Sequence, residues 1–564
     1  MVEEPGQGDF ALKLLSAFAG CLFLCAGFLH FAQAAPLPPY IEDDFILFWP
    51  DPMRAYPGIP LDFRFVAYEI NNETLAWQLV NAPAGMSISQ DGTVEWVPSD
   101  SDVGTYTLSV RVSRESGDFI ERSWTITVGA DDFLFVATTG SDTWSGTINA
   151  PFKTIEKAMR SINYGDGKTI YVRDGTYHEH YNWETGGVIS PLRNKNFTAQ
   201  DPVEIRSFPG EKAVLDCDFM GHGLMIHISN HVIIDNIEVQ NAMAGERGGI
   251  QVDASHHVMV RDCVVHDSHW SYTMNCTGYI VQSSTEIVID RATGYNNRDL
   301  YSTHHNSSNF LVYLDNQPQG NIYILNSRSY DSICGFKVKH AGPGKLIVHN
   351  CQSIGEKKPF AIGSSSSSVR YSIAYHGTTG LQAAVSDPNA YSCGSVLFEH
   401  NTIVNAPGTG VYFDSGYLQN GSIIRNNIIY NDIAAAGTGE SDNRLMGFWI
   451  YDSSATQYSL YSDYNVFYGL SANNIIRWGN INYNYSFSRW QSAGKDNNSY
   501  FGQPMFADEP NGNLSVPLYS PANFGNGQFA GSCVPGCSYP VVKKEPLGTI
   551  QGIPPVPPSG LTIQ

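Results

Sequence analysis

Leu325-Asn326-Ser327-Arg328-Ser329-Tyr330-Asp331, followed closely by Cys334-Gly335-Phe336-Lys337-Val338-Lys339, is one unit of a pattern that repeats along most of the chain. The asparagine at 326 returns 24 residues later in His349-Asn350-Cys351. Working outward, the same position is filled by Asn236, Asp262 and Arg291 upstream and by Ser372, Asn401 and Asn427 downstream, at spacings of 22 to 35 residues. A period of that size is one coil of a solenoid, in which each coil leans on its neighbours and long insertions become loops. Asn and Asp suit a tight turn between strands, because their side chains bond nearby backbone and tolerate left-handed conformations. The column therefore predicts asparagines stacked in register along the axis. The residue after each, Ile237, Cys263, Ala292, Ser327, Cys351, Ile373, Thr402 and Ile428, is small or apolar, as an inward column must be.

A second strand follows each turn. Gly249-Ile250-Gln251-Val252-Asp253, Gly278-Tyr279-Ile280-Val281-Gln282, Pro359-Phe360-Ala361-Ile362-Gly363 and Gly410-Val411-Tyr412-Phe413-Asp414 align with Gly335 to Lys339. Alternation along a strand puts Ile250, Val252, Phe336, Val338, Val411 and Phe413 inside and Gln251, Asp253, Gln282, Lys337, Lys339 and Asp414 outside. Cys263 and Cys351 fall three coils apart. At about 4.8 Å per coil they are too distant to bridge, so they read as buried thiols.

Only 15% of the 564 residues are charged, and the formal net charge is −21. That balance argues against nucleic acid as a partner. It would also repel an anionic polysaccharide unless cations cluster locally. Leu14 to Ala32 is a largely apolar run ending in Ala32-Gln33-Ala34-Ala35, so residues 1–35 read as a signal peptide. An uncleaved anchor is the alternative, since the run is about long enough to span a bilayer. The expected location is secreted, periplasmic or cell-surface, with no stable membrane insertion after cleavage and a monomeric state. Cys533 and Cys537 could pair in an oxidising compartment.

Residues 36–130 read as a small β-sandwich, with alternating strands such as Leu61 to Phe65 and Tyr106 to Val112. Ala82-Pro83-Ala84-Gly85-Met86, Asp91-Gly92-Thr93-Val94-Glu95-Trp96 and Val103-Gly104-Thr105-Tyr106 resemble the immunoglobulin-like domains of bacterial surface and secreted enzymes. That resemblance implies a spacer or docking module without chemistry, one that could be deleted without loss of activity. Residues 131–540 form the solenoid, and 541–564 a Pro-rich tail. Its opening, Phe135 to Asp142, Ala150 to Ile155, a short helix to Ile162, then Thr169 to Tyr177, looks like the N-terminal cap of bacterial right-handed parallel β-helix proteins. The fold expected is all-β, a right-handed parallel β-helix preceded by the sandwich.

Cys334-Gly335-Phe336-Lys337-Val338-Lys339, with Asn326 to Asp331 before it, resembles the Gly-Phe-Lys strand of the family-nine polysaccharide (pectate) lyases. In that family the lysine removes the C5 proton of a uronate, so the resemblance implies Lys337 as the base. β-Elimination needs a base beside an acidic C–H and positive charge on the adjacent carboxylate. Lys339 is the candidate for that charge. One coil is enlarged by Asn296 to Asn306, and Arg298, Tyr301, His304 and His305 in it have types suited to uronate binding. His256-His257, His266, His269 and Trp270 could extend the same wall. The family also uses a paired-aspartate Ca²⁺ site, and this sequence lacks the pair. Asp299, Asp315 and Asp253 remain as oxygen donors for a possible Ca²⁺.

Two other readings fit the same scaffold. One is a glycoside hydrolase or uronate epimerase, which for hydrolysis needs paired carboxylates on one face. The other is a non-catalytic, adhesin-like carbohydrate-binding protein of the cell surface. In each the partner is an acidic polysaccharide.

Overall fold

The computed structural model describes residues 45–48, 54–180, 192–243, 248–269, 276–298, 307–314, 320–340, 344–362, 367–383, 395–406, 408–414, 421–431, 446–451, 460–470, 475–478, 483–525 and 528–532. The signal segment, the tail, Cys533 and Cys537 lie outside them. Among the described residues no helix is long and apolar enough to cross a membrane.

The solenoid is built of three sheets of twelve strands each among the described residues. The first runs from Phe133–Val136 to Leu460–Asp463, the second from Gly175–His178 to Tyr500–Phe501, and the third from Leu192–Arg193 to Tyr483–Tyr485. Every pairing within them is parallel except the last of the third sheet, Ile476–Trp478 with Tyr483–Tyr485. From Thr169–Val172 to Ile476–Trp478 the chain visits the sheets in turn, so each coil there supplies one strand to each. The predicted right-handed parallel β-helix is what these residues form.

The turn between first and second sheets carries the predicted column. Asn236, Asp262, Arg291, Asn326 and Asn350 have φ between 48° and 53°, the left-handed conformation asparagine and aspartate tolerate. Asn350 Nδ2 donates to Asn326 Oδ1 at 2.7 Å, and Asn326 Nδ2 to Asp290 Oδ1 at 2.7 Å. Beyond this point the left-handed residues are Tyr371, His400 and Asn426, one earlier than Ser372, Asn401 and Asn427. The latter three turn inward instead, where Asn401, Asn427 and Asn465 form a buried amide ladder. Ile373, Thr402 and Ile428 therefore lie on the outer face. They are apolar or small because residues 502–532 fold back over that face: Leu514, Val516, Ala522 and Ala530 pack on Ile373, Val404, Ile428 and Val466. A covered outer face reverses the polarity from which inside and outside are read.

The inward column of the third sheet is as expected. Ile250, Val252, Phe336, Val338, Val411 and Phe413 are all buried. Tyr279, Phe310, Phe336 and Phe360 stack ring on ring at 4.7 to 5.1 Å between centroids, a consequence of parallel in-register coils. Cys263 and Cys351 are buried and free. The open N-terminal end is closed by the helix Ile155–Arg160, capped by Thr154 Oγ1 accepting from Lys157 N, with Ile155, Ala158 and Met159 turned into the core. At the far end the helix Phe487–Ser492 does the same with Trp490.

The sandwich pairs Gly104–Ser113 with Phe119–Val128 and Leu61–Arg64 with Thr93–Trp96 around its own core. It is no free spacer. Its Phe48, Val66 and Tyr68 pack on Met259, Val288, Tyr323, Leu325 and Ile347 of the first sheet. Arg64 reaches Asp290 at 2.6 Å and Asp262 at 2.9 Å, Arg206 reaches Asp62 at 2.5 Å, and Arg261 Nη1 donates to the Arg64 carbonyl at 2.7 Å.

Candidate functional site

Lys337 lies on the strand Cys334–His340 of the third sheet, between Leu311 of the previous coil and Ala361 of the next. Phe336 and Val338 on either side face the core, so alternation turns Lys337 away from it. An outside position would leave the lysine solvated, yet only 4% of its surface is exposed. The outward column it belongs to, Met225, Gln251, Ile280, Leu311, Lys337 and Ala361 in register, is itself buried. Burial pulls the Lys337 ammonium down from 10.5 to about 8; the Cys334 thiol opposes this, and Lys358 and Lys339 push the same way. A lysine near pH 8 is neutral often enough to take a proton, as a general base must be.

Lys339 is the next outward residue on the strand. A register shift opposite Val312 and Tyr313 makes Tyr313 pair with His340, leaving Lys339 as the extra residue, and such irregularities re-aim side chains. Its Nζ donates to Tyr313 Oη at 3.1 Å and sits 5.1 Å from the ring centroid. Lys358, which pairs in register with Cys334, brings a third ammonium to the same strands. Lys358 and Tyr313 escaped notice in the sequence; Lys358 is one coil on, at the position opposite Cys334, and the repeat alignment could have shown it. Three lysines here concentrate positive charge on a chain whose net charge is −21.

Beneath the strand, Glu356 is wholly buried and accepts from Asn309 Nδ2 at 3.0 Å and Ser329 Oγ at 2.7 Å, and also from Ser353 Oγ. Burial pushes its carboxyl up to about 8, against those bonds. A Cβ on Gly335 would stand 2.4 Å from Glu356 Oε2 and 2.5 Å from the Pro359 carbonyl. The glycine of the Gly-Phe-Lys segment is thus what lets the strand lie against this network, two residues from Lys337.

Other expected site residues are scattered. Arg298 stands at the corner between the second and third sheets, one coil before Lys337; its backbone N donates to Ser268 O at 3.2 Å and its carbonyl is 2.9 Å from His269 Nδ1. Asp253 is three coils before Lys337 on the third sheet and is paired with His227 at 2.9 Å. At about 4.8 Å per coil it is too far to share a ligand with Lys337. Asp299, Tyr301, His304, His305 and Asp315 lie outside the described residues, as does Trp270. The described residues therefore bring no set of oxygen donors to Lys337 that would hold Ca²⁺. The histidines do not form one wall. His257 stacks on His231 and His256 meets it edge-on at the corner leading into the first sheet, while His266 and His269 belong to the second sheet's side.

The second sheet's outer face holds two further groups, of which the sequence flagged only His266. His178, Asp216 and Asp218 approach within metal-binding distance of one another at its N-terminal end, about five coils from Lys337. Further along, His266 lies between Glu238 at 3.2 Å and Asp267 at 2.7 Å. Burial works against both carboxylates, yet their bonds to His266, with Lys212 and Asn296 alongside, hold them below the ordinary range. A glycosidase's acid needs a raised pKa, so this pair does not meet the requirement of hydrolysis. A cleft between the sandwich and the first sheet, lined by Arg64, Tyr68, Trp77, Asp290 and His349 among others, is remote from the lysines.

Residues 134–365 match the family model described as "Pel9A-like, right handed beta helix region", and residues 50–129 the one described as "Putative Ig domain". The chain thus carries a Pel9A-like right-handed β-helix region preceded by an immunoglobulin-like domain. Among curated proteins it is 34% identical to pectate lyase PEL9 of Emericella nidulans over 83 residues, 15% of this chain and 18% of that one. It is 26% identical to the uncharacterized protein YwoF of Bacillus subtilis over 145 residues, 24% of this chain and 28% of that one. The matches span less than a third of either relative. Solved structures of similar fold include a rhamnogalacturonan lyase (TM-score 0.44, 16% identity, covering 59% of this chain and 87% of that one) and pectate lyase Pel9A (TM-score 0.40, 18% identity, 56% and 83%).

Proposed function

We propose that this protein is an exported polysaccharide lyase that cleaves a uronate-containing polymer by β-elimination, with Lys337 as the base. The observation that carries the reading is a buried lysine, its ammonium pulled down to about 8, set beside two further lysines on a β-helix face. In the step, Lys337 Nζ takes the C5 proton of a uronate. The C5–H electrons form the C4–C5 double bond, the bond from C4 to the glycosidic oxygen breaks, and that oxygen leaves with a proton drawn from solvent. Lys339 and Lys358, on either side of Lys337 along the strand, offset the negative charge that builds on the uronate carboxylate as C5 loses its proton. Arg298 is assigned to substrate binding at the rim, and Asp253 is not assigned to a metal. The matched segment of pectate lyase PEL9 is consistent with an acidic polysaccharide as substrate.

The test is to incubate the purified protein with a panel of uronate polymers and follow the ultraviolet absorbance of an unsaturated product. Absorbance growth with wild type and none with Lys337→Ala is the expected result. New reducing ends without that absorbance would mean hydrolysis, and binding without any product would favour the adhesin-like reading.

A further inference from the structure

The outward column of the third sheet continues past Lys337 in strict register: Ala361, Gln382, Tyr412, Trp449 and Arg477 occupy the same position on successive coils. Its character changes along the way. Up to Gln382 the column is buried, whereas Tyr412, Trp449 and Arg477 are partly exposed. Trp449 is held on two sides: the Arg477 guanidinium lies 4.6 Å from its ring centroid, and Tyr412 meets it edge-on at 5.3 Å. Tyr412 is fixed in turn by its hydroxyl, which donates to Asp414 Oδ1 at 3.2 Å. The Trp449 indole N–H is buried and finds no acceptor among the described residues. Tyr451, 38% exposed, extends the aromatic surface at the strand's end.

We infer that Tyr412, Trp449 and Arg477 form a distal subsite for the same polysaccharide chain whose uronate is cleaved at Lys337. The inference rests on the proposed lyase reading for its ligand. Rigid aromatic rings offer apolar contact to the C–H faces of sugar rings at low entropic cost, and an arginine matches a carboxylate fork. Trp449 is four coils from Lys337, about 19 Å at the strand spacing, so a chain occupying both places spans several sugar units along one straight column. The occupant is therefore an acidic polymer and not a short fragment.

The test uses the full chain carrying Trp449→Ala, Arg477→Gln or, as control, Tyr500→Ala, an exposed tyrosine of the second sheet. Polygalacturonate is the probe, with affinity electrophoresis for binding and product absorbance for turnover; thermal melting shows whether each variant is folded. Trp449→Phe replaces Trp449→Ala if the latter melts early. The inference expects both site variants to bind polygalacturonate about tenfold more weakly or worse, with a matching rise in KM, and the control to match wild type. Binding within twofold of wild type in folded variants overturns it. If wild type retains polygalacturonate without making unsaturated product, the lyase reading falls while the binding comparison still decides the subsite. If wild type neither retains nor cleaves polygalacturonate, the subsite as a polyuronate site is overturned.

Discussion

Lys337 is where a single residue's surroundings decide its chemistry. Buried and near two other ammonium groups, it holds its proton less firmly than a free lysine. If it is the base, kcat/KM should rise with pH through about 8 and level off above, a limb that Lys337→Ala would abolish along with a rate loss of roughly a hundred- to ten-thousand-fold. The same burial bears on stability. Between about 8 and 10.5 the unfolded chain binds this proton and the folded chain does not, so folding is penalised in full below about 8 and the penalty fades as pH rises through that window. Lys337→Met should therefore melt at or above wild type at pH 7, and the difference should shrink towards pH 10. A large loss of melting temperature at pH 7 would show that the ammonium is held by partners that outweigh its burial. Lys339→Ala is expected to raise KM more than it lowers kcat, because its bond to Tyr313 suits it to hold a carboxylate and not to move a proton; initial-rate kinetics on the cleaved polymer separate the two.

At the scale of the strand column, parallel in-register stacking sets each outward residue against the same position on the coils before and after it. On the first sheet the line Arg206, Asp235, Arg261, Asp290 alternates in sign coil by coil, and after Leu325 and His349 it resumes as Arg370, Glu399, Arg425, Asp463. Burial alone would raise Glu399, but Arg370 and Arg425 on the flanking coils hold it at about 2. His349, in the gap, is pushed by burial to about 3 and stays neutral. The inward amide ladder follows the same logic. Asn427 accepts from Asn401 and donates to the Phe398 and Arg425 carbonyls and to Asn465 Oδ1. Asn427→Leu strands several of these buried groups at once, each costing about 1–3 kcal/mol. The urea midpoint should fall by far more than for Asn350→Ala, whose ladder bond is exposed to solvent. Equal effects would mean the buried ladder contributes no more than the surface one.

For the whole molecule, the sandwich and the solenoid share an interface that neither half can shed cheaply. Removing residues 45–129 would uncover Met259, Val288, Tyr323 and Ile347 and leave Asp290, buried to 0% exposure, without Arg64. The truncated solenoid is expected to melt earlier and to self-associate, as seen by calorimetry and size-exclusion chromatography. A monomer with the full-length melting temperature would restore the sandwich to the role of a detachable spacer. Because the candidate lysines sit on the third sheet and the sandwich on the first, any activity lost on truncation should track stability and not substrate affinity.

The sequence by itself determined the repeat, the left-handed turn column from Asn236 to Asn350, the inward faces of the third sheet and the helical N-terminal cap. These are periodic or local, and each is carried by residue types whose conformational preference suits one place in a coil. It did not determine which outer faces are covered. The one-residue slip at Ser372, Asn401 and Asn427 came from an apolar outer face that residues 502–532 bury from far along the chain. The segment Gly335 to Lys339 pointed to Lys337, yet its burial depends on what lies over an outward column, and its lowered proton affinity follows first from that burial, with Lys358 from another coil adding to it. The spread of the histidines over different faces, the docking of the sandwich and the charge ladder beneath it were likewise settled only by tertiary structure. Burial and electrostatics are set by whatever the fold brings alongside a residue, and a single strand's sequence does not carry that.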